Sequence, residues 1–283
     1  MSPEILRWSA FTTVPEGGNP AGVVLDARGL DDVEMQRIAA DVGYSETAFL
    51  QPGIEPGDVT VRYFSPLAEV PFCGHATIAS AVAHARRHGP GLLRYATPAG
   101  PVQVQTEAGA DGTVTATLVS VPPRTVEIAA DDLDELLAAL RWSRPALDPG
   151  LPPRVAFAGA WHPVVGVASR ARLATLDYDF DRLAALMGAR GWTTVALVHR
   201  SDDRTFHARN PFPPGGVVED PATGAAAAAF GGYLRELGLV TPPVTLTVHQ
   251  GDDMRRPSLL TVDVPAGPES GIAVSGAAVP LAD

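Results

Sequence analysis

The chain contains no lysine: all 21 of its cationic residues are arginine. That absence excludes Schiff-base chemistry, a pyridoxal-phosphate lysine and a Walker-type phosphate lysine. One cysteine, Cys73, leaves no partner for an internal disulfide, which fits a reducing compartment. It also rules out a racemase built on two thiols. Cations are outnumbered, with a net charge of −11. A nucleic-acid partner is therefore not expected, because neutralising phosphates needs clustered positive charge. No apolar run approaches the roughly 20 residues that cross a bilayer, so no membrane partner is expected either. The opening residues 1–13 lack a basic stretch followed by an apolar one, which predicts a cytoplasmic protein without a signal peptide.

What is present fits a folded chain. Hydrophobic residues make up 46% of the 283 and charged residues 19%, a composition that fills cores rather than staying disordered. The length suits two domains of about 100–150 residues each. Pro122-Pro123 marks the boundary, giving domains 1–122 and 123–283, with the last strand free to return to the N-terminal domain.

Periodicity and turn residues predict strands at 5–12, 21–25, 46–50, 60–64, 103–106 and 113–119. Further strands are expected at 154–158, 164–168, 194–199, 205–209, 245–250, 259–264 and 271–275. Helices are expected at 33–42, with one apolar face, at 131–140, with an acidic cap, and at 180–187. Two other helices, 74–88 and 224–237, are small and apolar on nearly every side, the mark of a helix buried all round. Their starting glycines, Gly74 and Gly224, stand 150 residues apart, and Ala76/Ala226 and Ala79/Ala229 keep that offset. The shared offset predicts an internal duplication. A helix start carries unpartnered N–H groups and a positive dipole end, so each is a ready anion site. Facing each other, the two starts would grip a carboxylate.

Beside these starts lie side chains able to move protons. Glu46 is either a solvated residue on a strand or a general acid/base, whose proton affinity apolar surroundings would raise towards neutrality. His75 is either a satisfied core histidine or a relay kept neutral by the helix terminus. Asp220 is either a helix anchor or an acceptor for a ligand hydroxyl or amine. Thr223-Gly224 offers backbone donors that a ligand can approach closely. Cys73 reads as a small hydrophobe. Asn19 is a turn residue or a tie between loops. No metal site is predicted: the seven histidines show no ligand spacing with a carboxylate. His84 and His88 read as a solvated helix end.

Five segments together resemble a known family. They are Gly18-Asn19-Pro20-Ala21-Gly22, Ser45-Glu46-Thr47-Ala48-Phe49, Cys73-Gly74-His75-Ala76-Thr77, Glu219-Asp220-Pro221-Ala222-Thr223-Gly224 and the late Gln250-Gly251-Asp252. In order along the chain, they resemble the phenazine-biosynthesis PhzF-type isomerases of the diaminopimelate-epimerase-like fold. The resemblance implies an α/β (α+β) fold of two similar domains. Each would be a curved, mixed, largely antiparallel sheet wrapped round a central buried helix, with the active site in the cleft between them. It implies a cofactor-free, often homodimeric enzyme acting on a small carboxylic acid, the type reaction isomerising trans-2,3-dihydro-3-hydroxyanthranilate. Carried over by position, Glu46 matches the catalytic acid/base. Asn19, Gly74, His75, Asp220, Thr223, Gly224 and Ala225 match substrate-binding positions. Ala225 stands where the family commonly has serine, Glu16 where it has an aromatic and Arg255 where it has glycine. The lost hydroxyl bears on the type substrate more than on the reaction class. Two other readings stay open: a small-acid binding or protein-interaction protein without turnover, and an amino-acid epimerase, which the single thiol argues against.

Overall fold

The structure, a computed structural model, describes residues 3–282. They fall into two compact units, one running to Val119 and resuming at Ser275, the other Ser120–Val274.

The first unit opens with β1 (Leu6–Ala10), β2 (Asn19–Val24), α1 (Asp32–Val42), β3 (Thr47–Pro52), β4 (Asp58–Phe64) and β5 (Glu69–Val70). It continues with α2 (Gly74–His88), β6 (Leu92–Thr97), β7 (Gly100–Ala108) and β8 (Val114–Val119). β1 pairs antiparallel with β2, β2 parallel with β3, and β3 antiparallel with β4. β4 runs parallel to β6, and β7 and β8 follow antiparallel. The chain's last strand, Ala273–Pro280, lies antiparallel to β1 and also pairs with β8, where the Thr117 and Ser275 hydroxyls meet at 2.8 Å. The pairing therefore closes on itself round α2, whose residues His75 to Ala83 are all buried. Closure removes unpaired strand edges. Such a sheathed helix has no wet face, which is why its sequence lacks an amphipathic stripe.

α1 lies outside this ring. A capping box between Asp31 and Glu34 starts it, and Gly43 at φ 73° ends it. Its Met35, Ile38 and Ala39 pack on Val24, Phe49 and Phe64.

The second unit contains β9 (Arg124–Glu127), α3 (Ala130–Ala139), β10 (Arg154–Phe157), β11 (Trp161–Gly166), α4 (Arg170–Ala174) and α5 (Phe180–Arg190). Then come β12 (Ala196–Arg200), β13 (Thr205–Phe212), β14 (Val217–Asp220), α6 (Gly224–Glu236), β15 (Val244–Gln250) and β16 (Ser258–Val264). The sheet order is β9-β10-β11-β12-β13-β15-β16, with β11–β12 and β13–β15 parallel and the other pairs antiparallel. β14 folds back on β13. α6 packs on β9, β10, β11 and β16. α3 and α5 share a separate core, in which Leu136, Leu183 and Met187 meet Val165 and Leu197. Among the described residues no helix is long and apolar enough to cross a membrane.

Several expectations need correction. The strand expected to reach residue 12 stops at Ala10, because Phe11 turns to φ 63° while its N–H bonds to Ala277. β5, β6, β9, β14 and the short α4 were not foreseen. β6 alternates as a strand should, but exposes Leu92 and buries Leu93 and Tyr95 beside two glycines, which blurs its pattern. The last strand runs to Pro280 rather than stopping at 275. His84 is half-buried, not solvated. Burial, and then the neighbouring His88 ring at 4.6 Å, lower its pKa.

Candidate active site

Within the first unit, folding brings Glu46 to the start of α2. Glu46 directly precedes β3 rather than lying on the strand, and its carbonyl accepts from Gly22 N–H at 3.1 Å. That bond anchors the residue to β2. Gly22 is required there, because a Cβ would collide with the Thr47 side chain. The Glu46 side chain is 16% exposed and that of His75 7%. Glu46 Oε2 stands 3.3 Å from His75 Nε2 and 3.4 Å from Cys73 Sγ, which donates to it. The thiol also lies 3.4 Å from His75 Nδ1, and the Ser45 hydroxyl 3.4 Å from Nε2. One carboxyl, one imidazole and one thiol therefore share a small, mostly dry volume.

The helix start is itself pinned. Thr77 Oγ1 donates to the Cys73 carbonyl at 2.7 Å, and the fully buried Tyr63 hydroxyl meets Thr77 Oγ1 at 2.6 Å. Because Thr77 spends its proton on Cys73, Tyr63 is the donor in that pair. Burial raises the Tyr63 pKa well above the ordinary value, so it stays a neutral donor. Apart from its chain neighbours Cys73 and His75 and the backbone of its own helix, a Cβ built on Gly74 would meet no described residue within 4 Å, which leaves room on that side of the first N–H groups. Those groups have no partner inside the helix. Asn19 is buried at the start of β2, opposite Ala10. Gly18 before it, at φ 72°, packs against Ala10 and Ser9 too closely to carry a side chain.

Within the second unit the segment Glu219–Gly224 forms a latched turn. Thr223 Oγ1 donates to Asp220 Oδ2 at 2.5 Å. Gln250, at the end of β15, accepts from Thr223 N–H at 3.1 Å and donates to the Asp220 carbonyl at 2.7 Å. Gly251 at φ 79° lies against the carbonyls of Arg256 and Pro221, where a Cβ has no room. Below the turn, Arg209 donates both Nε (2.9 Å) and Nη2 (2.5 Å) to the buried Glu219 carboxylate. Burial opposes the arginine's charge, but the Glu219 bonds hold its pKa above the ordinary value. Asp220 is 9% exposed, and Gly224 and Ala225 open α6 half-buried.

The structure thus joins Glu46, Gly74 and His75 in one cluster, and Asp220, Thr223, Gly224 and Ala225 in one turn. Two roles escaped the sequence reading. Cys73, taken as a small hydrophobe, bonds to Glu46. Arg209 holds the 219–224 turn from the neighbouring strand β13, and Gln250 holds it from β15, 27 residues from Thr223. Glu46, Cys73 and His75 also present donor atoms all within 4.8 Å of one another, a grouping that histidine spacing along the chain does not display.

The chain as a whole is similar to known proteins. The family described as phenazine biosynthesis-like protein matches residues 8–283. The uncharacterized isomerase YddE of Escherichia coli K12 is 30% identical over 99% of this chain and 97% of its own. The trans-2,3-dihydro-3-hydroxyanthranilate isomerase of Pseudomonas chlororaphis is 32% identical over 89% of this chain and 86% of its own. The crystal structure of a PhzF-family phenazine biosynthesis protein from Bacillus anthracis superposes with a TM-score of 0.90 at 27% identity, over 100% of this chain and 98% of that one. A probable proline racemase from Agrobacterium radiobacter shares the mixed α/β fold, with a TM-score of 0.67 at 14% identity over 98% and 91% of the two chains. With its relatives named isomerases and its fold that of PhzF proteins, the chain belongs to the phenazine biosynthesis-like family and is an isomerase.

Proposed function

We propose that the protein moves a proton between two carbons of a small cyclic or unsaturated carboxylic acid, without a cofactor, with Glu46 as the single acid/base. The Glu46 carboxylate takes a proton from one carbon, and the electron pair left behind spreads over the unsaturated system. The Glu46 carboxylic acid then returns the proton to a second carbon. Nothing is oxidised or reduced. The observation that carries the reading is the Glu46–His75 contact at 3.3 Å in a largely water-free volume beside the start of α2. N–H groups at such a terminus stabilise negative charge that develops during the transfer. His75 positions the carboxyl and bonds to the substrate's polar groups. Asp220, Thr223, Gly224 and Ala225 are assigned substrate contacts through their match to the family. The P. chlororaphis relative is named for a reaction of this class. Ala225 offers no hydroxyl, which points to a substrate other than the one in that relative's name.

The test is incubation with a panel of unsaturated and cyclic carboxylic acids in deuterium oxide, read by mass spectrometry. Deuterium should enter one compound, and Glu46→Gln should lower that rate by roughly 10²- to 10⁴-fold with the fold intact. Full exchange by the Gln variant would overturn the assignment of Glu46. Calorimetric binding of an acid with no exchange would replace the isomerase reading of this site with a binding one.

A further inference from the structure

We propose that Glu46, Cys73 and His75 together form a binding site for zinc or another thiophilic divalent cation, and that the bound ion blocks the acid/base. The inhibitory half rests on the function proposed above; the binding half does not. Zinc takes thiolate, imidazole and carboxylate ligands at about 2.3, 2.0–2.1 and 2.0–2.2 Å in tetrahedral array. Donors round such an ion stand about 3.3–3.6 Å apart. Here Oε2 to Nε2 is 3.3 Å, Oε2 to Sγ 3.4 Å and Sγ to Nε2 3.8 Å. The triangle of donors already has nearly the size of one face of a zinc tetrahedron.

The donor chemistry is equally selective. One soft sulfur with one nitrogen and one oxygen favours zinc, cadmium or cobalt over magnesium or calcium, which take oxygen sets. Three protein ligands leave the fourth position to water. Sγ lies 3.4 Å from Nδ1 and 3.8 Å from Nε2, close to both nitrogens of the ring rather than end-on to one. The His75 ring must therefore turn on its side-chain torsions to aim Nε2 at the ion. Binding releases the thiol proton to solvent and leaves the metal's oxidation state unchanged. Coordination would engage the carboxylate oxygen that faces His75, so the ion and proton transfer would exclude each other.

The experiment uses the full chain, freed of metal by a chelator, without substrate. Cobalt(II) titration should saturate at one equivalent and give a thiolate-to-cobalt charge-transfer band. Zinc, measured by competition with a chromophoric chelator, should displace it. Cys73→Ser should abolish the band. It should weaken zinc binding by more than the roughly 10- to 100-fold typical of losing a mere outer partner of a ligand. Glu46→Gln and His75→Gln should also weaken it, while circular dichroism reports an intact fold in each. His207→Ala is the control for the other imidazole–carboxylate cluster, where His207 stands 3.3 Å from Asp252 and stacks on His249. It should change nothing. No saturable band, a band that survives Cys73→Ser, or a band lost in His207→Ala would overturn the site. Once a deuterium-exchanging substrate is in hand, exchange unaffected by saturating zinc would overturn the inhibition. Should no acid exchange at all, tight zinc binding lost in Cys73→Ser would still uphold the site while the isomerase reading of it fell.

Discussion

Single buried polar side chains carry much of this protein's sensitivity to its surroundings. His162 is wholly buried; its Nδ1 meets Thr194 Oγ1 at 2.9 Å, and Thr194 Oγ1 in turn donates to Asn210 at 3.1 Å. Burial pulls its pKa down from 6.5 to about 4. Between those values the unfolded chain binds a proton that the folded one refuses, so the stabilising effect is complete above pH 6.5. It is lost as pH falls to about 4, where both states are charged. The loss amounts to roughly 3 kcal/mol at most. Denaturant unfolding measured from pH 7 to pH 4 should show this slope, and His162→Gln should remove it. Arg209 and Glu219 make a second such case, because both are buried and paired through two hydrogen bonds. Glu219→Ala takes away the paired carboxylate and leaves the guanidinium with the carbonyls of Leu173 and Ala174 and the more remote Asp253 charge. A loss of about 3–5 kcal/mol in unfolding free energy is expected. A loss under 1 kcal/mol would show the pair to be incidental.

At the scale of elements, α6 meets its surroundings through backbone as well as through side chains. A Cβ on Gly232 of α6 would overlap the Pro123 ring, and one on Gly231 would press on Val262 and Ile272. Alanine is the better helix former by about 1 kcal/mol. Propensity alone would therefore rate Gly232→Ala as stabilising. Overpacking against a rigid proline costs about 1–3 kcal/mol and outweighs it. Gly232→Ala should lower the midpoint of urea unfolding; a raised midpoint would mean that the loop at Pro123 yields freely. The same glycines explain why α6 was legible only as a small, apolar helix: its smallness records the closeness of Pro123 and β16, which the sequence does not display.

At the scale of the whole molecule, the first unit depends on chain that arrives last. The strand Ala273–Pro280 bridges β1 and β8, so without it the ring round α2 stays open and two edges lose their partners. A chain ending at Val274 should lose cooperative unfolding of the first unit. Amides of α2, protected by the closed ring, should then exchange with solvent far faster by hydrogen-exchange mass spectrometry. Protection of α2 equal to that in the full chain would contradict this dependence.

The sequence by itself determined the elements whose cause is local. α2 was legible to the residue because Gly74 opens it, small apolar residues fill it and Gly89 follows its basic last turn. α1 was legible from Asp31 and Gly43. It also set the chemistry available: one thiol, no lysine amine, and a glutamate and a histidine within recognisable motifs. Tertiary structure decided what lies far apart along the chain. It brought Glu46 to Cys73 and His75 across 27 and 29 residues, fastened the 219–224 turn to Gln250, and returned the last strand to β1. The reason is physical. Capping, periodicity and glycine geometry act over a few residues and leave their mark there, whereas strand pairing and side-chain contact depend on complementary surfaces that no short window contains.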